Sequence, residues 1–226
     1  MKARLISYSQ SPTMNIGDLY VPEGIHELVA YCARVSNPSN QESTATTEKL
    51  LSYLAREKHW SPFEMVSACL EIETTRDIAR QILRHRSFSF QEFSQRYADP
   101  KDQGDMFLYS EARLQDTKNR QNSIETDDEQ LQLDWLHAQM RIAHLSMKEY
   151  KWAIKKGIAK EQARKVLPEG LTKSRMYVNG TLRSWIHFID LRSSNGTQKE
   201  HREIARACAE IISKIYPNIM EYSHDD

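Results

Sequence analysis

The chain has 226 residues, long enough to bury a core as one domain over 1–226, and its 31 Lys and Arg balance 31 Asp and Glu, so its formal net charge is zero. That balance argues against general electrostatic capture of nucleic acid or of an anionic membrane, and leaves any cluster of cations to act locally. Cys32, Cys69 and Cys208, odd in number and without metal-ligand spacing, point to buried thiols in a reducing, cytoplasmic compartment, and no apolar run approaches the ~20 residues of a membrane span.

Leu5 to Tyr8 is predicted as a short first strand, followed by a loop punctuated by Pro and Gly as far as Val21. A helix from about Glu23 carries Ile25, Leu28, Val29 and Cys32 at helical spacing and ends near Asn37-Pro38, because the residue before a proline disfavours the helical region. A second helix, roughly Ser43 to Lys58, turns Leu50, Leu51 and Leu54 inward and delivers the chain to His59-Trp60-Ser61-Pro62-Phe63-Glu64. There a Ser-x-x-Glu capping box with proline at the first helical position predicts a tight helical turn. Clean alternation from Val66 to Glu73, with Val66, Ala68, Leu70 and Ile72 on one face, predicts a half-buried strand.

From Thr75 the period is helical: Ile78, Ala79, Ile82 and Leu83 share one arc, and Arg76, Asp77, Arg80, Gln81 and Arg84 the other. Arg84-His85-Arg86 then falls at or just beyond the helix C-terminus, where cations interact favourably with the macrodipole by roughly 0.3 to 1 kcal/mol. Past Arg86 the period changes to two, Phe88 and Phe90 alternating with Ser87, Ser89 and Gln91. An extended chain there would project Glu92, Ser94 and Arg96 from one side.

Asp105 to Leu114 is predicted as a strand and Gln115 to Thr126 as a mobile polar loop. A long helix follows, acidic at Asp127-Asp128-Glu129 and basic at Lys155-Lys156 before Gly157, which suits the dipole at both ends. At ~1.5 Å per residue it reaches on the order of 45 Å. Its Leu131, Trp135, Leu136, Met140, Ala143, Met147, Tyr150 and Ile154 are either core or partly a subunit contact. A short helix from about Ala159 carries Arg164 and stops before Pro168; Tyr177 to Thr181 is predicted as a strand and Leu182 to Arg192 as a helix. Asn195-Gly196 is a turn, and Thr197 with Glu200 forms a capping box for a last helix that packs Ile204, Cys208, Ile211 and Ile215 inward. The sum is an α/β (α+β) domain with a mixed sheet and several helices.

Arg84-His85-Arg86, a spacer and Ser94-Gln95-Arg96, with Gln81 upstream and Glu92 and Tyr97 alongside, resemble the signature of the flavin-dependent thymidylate synthases. So do Ala33 to Ser36, Ala163-Arg164 with Leu167-Pro168, and Leu182-Arg183-Ser184-Trp185-Ile186-His187-Phe188 followed by Arg192. His59 to Glu64 resembles the family's His-x-Ser/Thr-Pro-Phe-Glu, although Met65 stands where a further histidine is frequent, and Thr181 stands where asparagine is common. The resemblance implies conversion of dUMP to dTMP in a homotetramer with shared active sites, with methylenetetrahydrofolate as one-carbon donor and a hydride carried by FAD from NADPH. It implies FAD contacts from His59, Ser61, Arg84, His85, Arg86, Glu92, Thr181, Arg183 and His187. Gln81, Arg84, Glu92, Ser94, Gln95, Arg96, Arg164 and Arg192 would hold the nucleotide, with Arg192 catalytic at the pyrimidine, where a cation can stabilise negative charge.

Residue chemistry agrees on phosphate: guanidinium forks bind it bidentately, both ligands carry it, and no glycine-rich loop offers a Rossmann-type alternative. Two rival readings remain. Ser94, near His85 and Glu92 in sequence, could be a hydrolase nucleophile, but no Gly-x-Ser-x-Gly elbow surrounds it. The arginines could instead form a non-enzymatic anion- or RNA-binding module, which zero net charge and a missing aromatic RNA-recognition motif disfavour. His59, His85, His144, His187 and His201 lack the paired spacing of a zinc site, so no metal is expected.

Overall fold

The computed structural model describes residues 1–12 and 20–224, without the side chains of Lys101 and Gln103; most of the loop expected before Val21 lies outside the described residues. Strand β1 (Lys2–Tyr8) is followed by α1 (Gly24–Ala33) and α2 (Thr47–Arg56), and a 3-10 turn at Ser61–Glu64 leads into β2 (Ser67–Thr75). Next come α3 (Arg76–Ile82), β3 (Ser89–Glu92), the hairpin β4 (Arg113–Gln115) and β5 (Ser123–Glu125), and the long α4 (Glu129–Lys155). The chain ends with α5 (Lys160–Ala163), β6 (Lys173–Thr181), α6 (Leu182–Ser193) and α7 (Lys199–Ser213) before a last 3-10 turn. The main sheet has the order β1-β2-β6-β3. All three of its pairings are antiparallel, so the α/β class holds while the sheet is antiparallel rather than mixed.

The alternation of β2 does what its period dictates: Ala68, Leu70 and Ile72 are buried in one core with Trp185 and Ile186 of α6 and Ile204 and Cys208 of α7. Each large apolar side chain removed from water there contributes about 1.5–3 kcal/mol. The one polar atom of Trp185 is satisfied, since its indole N–H donates to the Ala68 carbonyl at 3.0 Å. Ile25 and Val29 of α1 and Leu51 and Leu54 of α2 close the same core, as their spacing requires.

Four expectations are corrected. The strand foreseen over Asp105 to Leu114 is reduced to an isolated bridge between Phe107 and Thr172 and to β4. Between them the chain pairs with no strand among the described residues but lies on a helix: the amides of Gln139 and Gln132 on α4 each accept a backbone N–H and donate to a carbonyl, Gln139 at Ser110 (3.0 and 2.8 Å) and Gln132 at Ala112 (2.8 and 3.0 Å). The polar loop after it closes as the β4–β5 hairpin, turned by the Asp116 carboxylate, which accepts the N–H of Lys118 at 2.7 Å and of Asn119 at 3.1 Å. Neither capping box forms, because a guanidinium lies within reach of each glutamate and a charge-assisted bond outweighs a neutral cap: Glu64 pairs with Arg183, and Glu200 with Arg113.

Helix α4 is 27 residues long, about 40 Å at ~1.5 Å per residue, and Asp128 caps it by accepting the N–H of Leu131 at 3.0 Å. It has two apolar faces. Ala143, Tyr150 and Ala153 join Met106, Phe107 and Ala163 in a second core, with Met147 and Ile154 packed against it. Leu131, Trp135, Ile142, Leu145 and Trp152 fall in a separate helical stripe and are exposed, as is Met140.

Candidate functional site

The site is assembled where α3 ends against α6. Ile78, Ala79 and Ile82 sink into the core, so α3 cannot rotate, and it stops at Ile82 with Arg84-His85-Arg86 leaving in the turn that follows. That turn is fastened twice. The Ser184 hydroxyl donates to the Ser87 carbonyl at 3.1 Å, and the Phe88 ring lies so close to Gly180 of β6 that a Cβ there would come within 2.3 Å of it. Only glycine leaves the ring room.

His85 is thereby set beside α6, edge-on to Phe188 with ring centres 5.0 Å apart, and its Nε2 accepts the Nε–H of Arg192 at 2.9 Å. Burial, then the Arg192 and Arg84 cations, hold its pKa down at about 4, so near neutral pH the ring is uncharged with its proton on Nδ1. Behind it His201 of α7 is fully buried, with its Nδ1 3.2 Å from Oε1 of Gln81, whose Nε2 donates to Oε1 of Gln198 at 2.8 Å. Burial first, and then Arg192 and His85, bring the pKa of His201 to about 3.

The segment before β2 meets the other end of α6. Trp60 stands edge-on to His187 at 4.8 Å, Glu64 pairs with Arg183, and His59 faces Tyr53 at 6.2 Å. Burial and the neighbouring Arg183 lower the pKa of His187. The Thr181 hydroxyl is engaged: it caps α6 by accepting the N–H of Ser184 at 3.3 Å and lies 3.1 Å from that residue's hydroxyl. Ser61, Arg84 and Arg86 are exposed, and among the described residues neither arginine has an ion-pair partner.

A second group forms around Glu92, and here the extended reading fails. Strand β3 ends at Glu92 and the chain turns, with the Ser94 carbonyl accepting the N–H of both Tyr97 and Ala98 at 3.1 Å. Glu92 points to Ser174 (2.7 Å), Arg80 (3.2 Å) and Arg76 (3.6 Å), while Glu169 takes Arg76 and Arg80 at 3.3 and 3.1 Å. Arg76, assigned by its period to the polar arc, is therefore buried, which a guanidinium tolerates only when paired. Arg96 meets Glu161 at 3.5 Å, three residues before the half-buried Arg164, and Gln95 is buried with its amide nitrogen unpaired. The Ser94 hydroxyl accepts the N–H of Arg96 at 3.4 Å; among the described residues no imidazole or carboxylate touches it, so no nucleophile dyad is built.

The two groups meet through α3, where Arg80 reaches Glu92 and Gln81 reaches His201. Among the described residues no hydrogen bond or ion pair joins Arg96 or Arg164 to Arg192. Three participants were missed from sequence: His201, Gln198 and Glu64. His201 left a signal in lying three and seven residues before Ile204 and Cys208, on the buried face of its helix, and Glu64 in closing the motif that begins at His59. Among the described residues no three His, Cys, Asp or Glu side chains are grouped as for a metal ion.

A family model described as "Thymidylate synthase complementing protein" matches residues 20–218. A probable flavin-dependent thymidylate synthase of Paramecium bursaria Chlorella virus 1 is 49% identical over 222 residues, 97% of each chain. The flavin-dependent thymidylate synthase of Synechocystis sp. is also 49% identical, over 219 residues and 97% of each chain. Among solved structures, the UMP/dUMP methylase PolB of Streptomyces cacaoi bound with 5-Br dUMP superposes with a TM-score of 0.79 at 25% identity, covering 98% of this chain and 93% of that one.

Proposed function

The chain belongs to the flavin-dependent thymidylate synthase family, and we infer that it converts dUMP to dTMP, taking the one-carbon unit from methylenetetrahydrofolate and a hydride from FAD reduced by NADPH. The observation that carries this reading is the bond between His85 and Arg192, which draws the Arg-His-Arg turn and the late arginine, 107 residues apart, into one site. Because His85 takes only the Nε–H, both terminal NH2 groups of Arg192 remain to face negative charge as the pyrimidine is activated. A protonated His85 would repel that guanidinium; its low pKa keeps it an acceptor.

The residues present fit FAD. The unpaired, exposed guanidiniums of Arg84 and Arg86, with Arg183 on α6, are a donor set suited to a diphosphate, and His187 on α6 meets Trp60, whose chain neighbours are His59 and Ser61. When bound and reduced, FAD supplies the hydride that completes the methyl group. Thr181 shares its hydroxyl with the helix cap, so its part is to orient α6. Gln81, Ser94, Gln95, Arg96 and Arg164 hold the nucleotide, and Glu92 acts by fixing Arg76 and Arg80. A flavin-type visible band that survives desalting, or that appears when FAD is added to the stripped protein, is the expected result; a colourless protein that takes up no FAD overturns this function.

Ser94 is a binding residue in this reading. Ser94→Ala should weaken dUMP by the ~1.5–3 kcal/mol of a hydrogen bond to a charged group while methyl transfer at saturating dUMP stays measurable. Abolished turnover with unchanged dUMP affinity would restore the nucleophile.

The exposed stripe on α4 supports a homotetramer: Trp135, Ile142, Leu145 and Trp152 are too apolar a face for a helix to leave in water. Residues 1–226 act as one domain in it. Three free cysteines and the lack, among the described residues, of any helix long and apolar enough to cross a membrane support a cytoplasmic setting.

A further inference from the structure

We propose that His201 is a positioning residue for the nucleotide, acting through Gln81, whose amide it holds in one sense. The inference rests on the reading that Gln81 contacts dUMP. A half-exposed glutamine amide can turn over at little cost, exchanging its carbonyl for its NH2 group. Here both ends are taken: Oε1 lies 3.2 Å from Nδ1 of His201, and Nε2 donates to Gln198 at 2.8 Å. An acceptor opposite Nδ1 requires the proton on that nitrogen, so His201 is the donor. One N–H of Gln81 is left over, and its direction is set by the two partners behind it. A nucleotide offers oxygen acceptors on its phosphate and on its base, so Gln81 held this way presents a donor to either.

The surroundings of His201 keep it in that role. The groups that face it are the Phe188 ring at 5.7 Å, His85 at 6.2 Å and the Arg192 cation, and burial first, then Arg192 and His85, oppose a second proton. Its Nε2 is buried without a partner. An unpaired buried acceptor burdens a fold, and phenylalanine has a similar outline without it, so packing alone does not account for an imidazole at this place. The bond to Gln81 does.

His201→Phe should therefore melt no lower than the parent, keep its FAD, and raise the KM for dUMP by about tenfold, the scale of one lost hydrogen bond, with kcat within about twofold. His201→Asn, which offers an amide N–H in place of Nδ1–H, should recover most of that KM. Gln81→Ala supplies the reference: it should raise KM at least as much, and adding His201→Phe to it should change little more. If Gln81→Ala leaves KM unaltered, it is the nucleotide reading of Gln81 that fails. If Gln81→Ala raises KM while His201→Phe does not, or if the two effects multiply in full, His201 does not act through Gln81. A Phe variant with a lowered melt is replaced by His201→Met, which fills the space without an N–H and is judged by the same outcomes.

Discussion

Arg192→Ala is expected to retain its flavin colour and to lose methyl transfer by roughly 100-fold or more, the scale of removing one preorganised electrostatic contact from a transition state. The guanidinium is preorganised because its Nε–H is already spent on His85, whose ring is wedged against Phe188. Substrate binding therefore need not first find its orientation. A second effect should accompany the first. Arg192 is one of the two cations that depress the pKa of His85, so in the variant that ring should titrate closer to the ordinary value of 6.5, with burial and Arg84 still holding it below. Turnover at saturating dUMP and the visible spectrum together decide the matter: near-normal turnover removes Arg192 from the mechanism, and a colourless variant assigns it to cofactor retention instead.

Mixed oligomers should show the second large effect. Arg96 and Arg192 are both assigned to the nucleotide, yet Arg96 belongs with Glu161 beyond the Glu92 group and Arg192 with His85 on α6. Sites shared between subunits would reconcile this, and a symmetric assembly permits it. Arg96→Ala and Arg192→Ala homo-oligomers should each be nearly inactive. Unfolded together and refolded, they should regain a fraction of wild-type turnover, since some junctions receive one native segment from each parent. A mixture shown by native mass spectrometry to hold both variants in one particle, yet as inactive as its parents, would mean that each site is built within one chain.

How much of this could be read in advance depended on whether local pattern or distant charge decided each residue. The end of α3 just before Arg84, the alternation of β2 and the inward faces of α1, α2 and α7 follow from periodicity, and the structure places them as the period requires. Charge placement was illegible where the partner is remote. Arg76 pairs with Glu169, 93 residues on, and Glu64 and Glu200 abandon caps that their own neighbours suggested for arginines 119 and 87 positions away. Ser94 and Arg96 were drawn as strand neighbours of Glu92 because nothing in the alternation announced the turn that begins there. The site residues themselves came from motif spacing, which identifies positions but not the contacts that orient them, so the His201 to Gln81 bond went unseen.

The two glutamine amides that hold Ser110 and Ala112 also make α4 a precondition of that segment's place. An extended segment in a sheet can find its partners as the sheet forms, but these backbone groups have theirs only on side chains seven residues apart, aligned on one face of a completed helix. The place of the segment therefore depends on the formed face of α4. The same face carries what the segment brings with it: the hairpin behind Ala112, and the ion pair by which Arg113 reaches Glu200, the residue before His201 at the start of α7. The long helix is thus a template as well as a surface, and the segment it holds ends in an ion pair beside the nucleotide-positioning histidine.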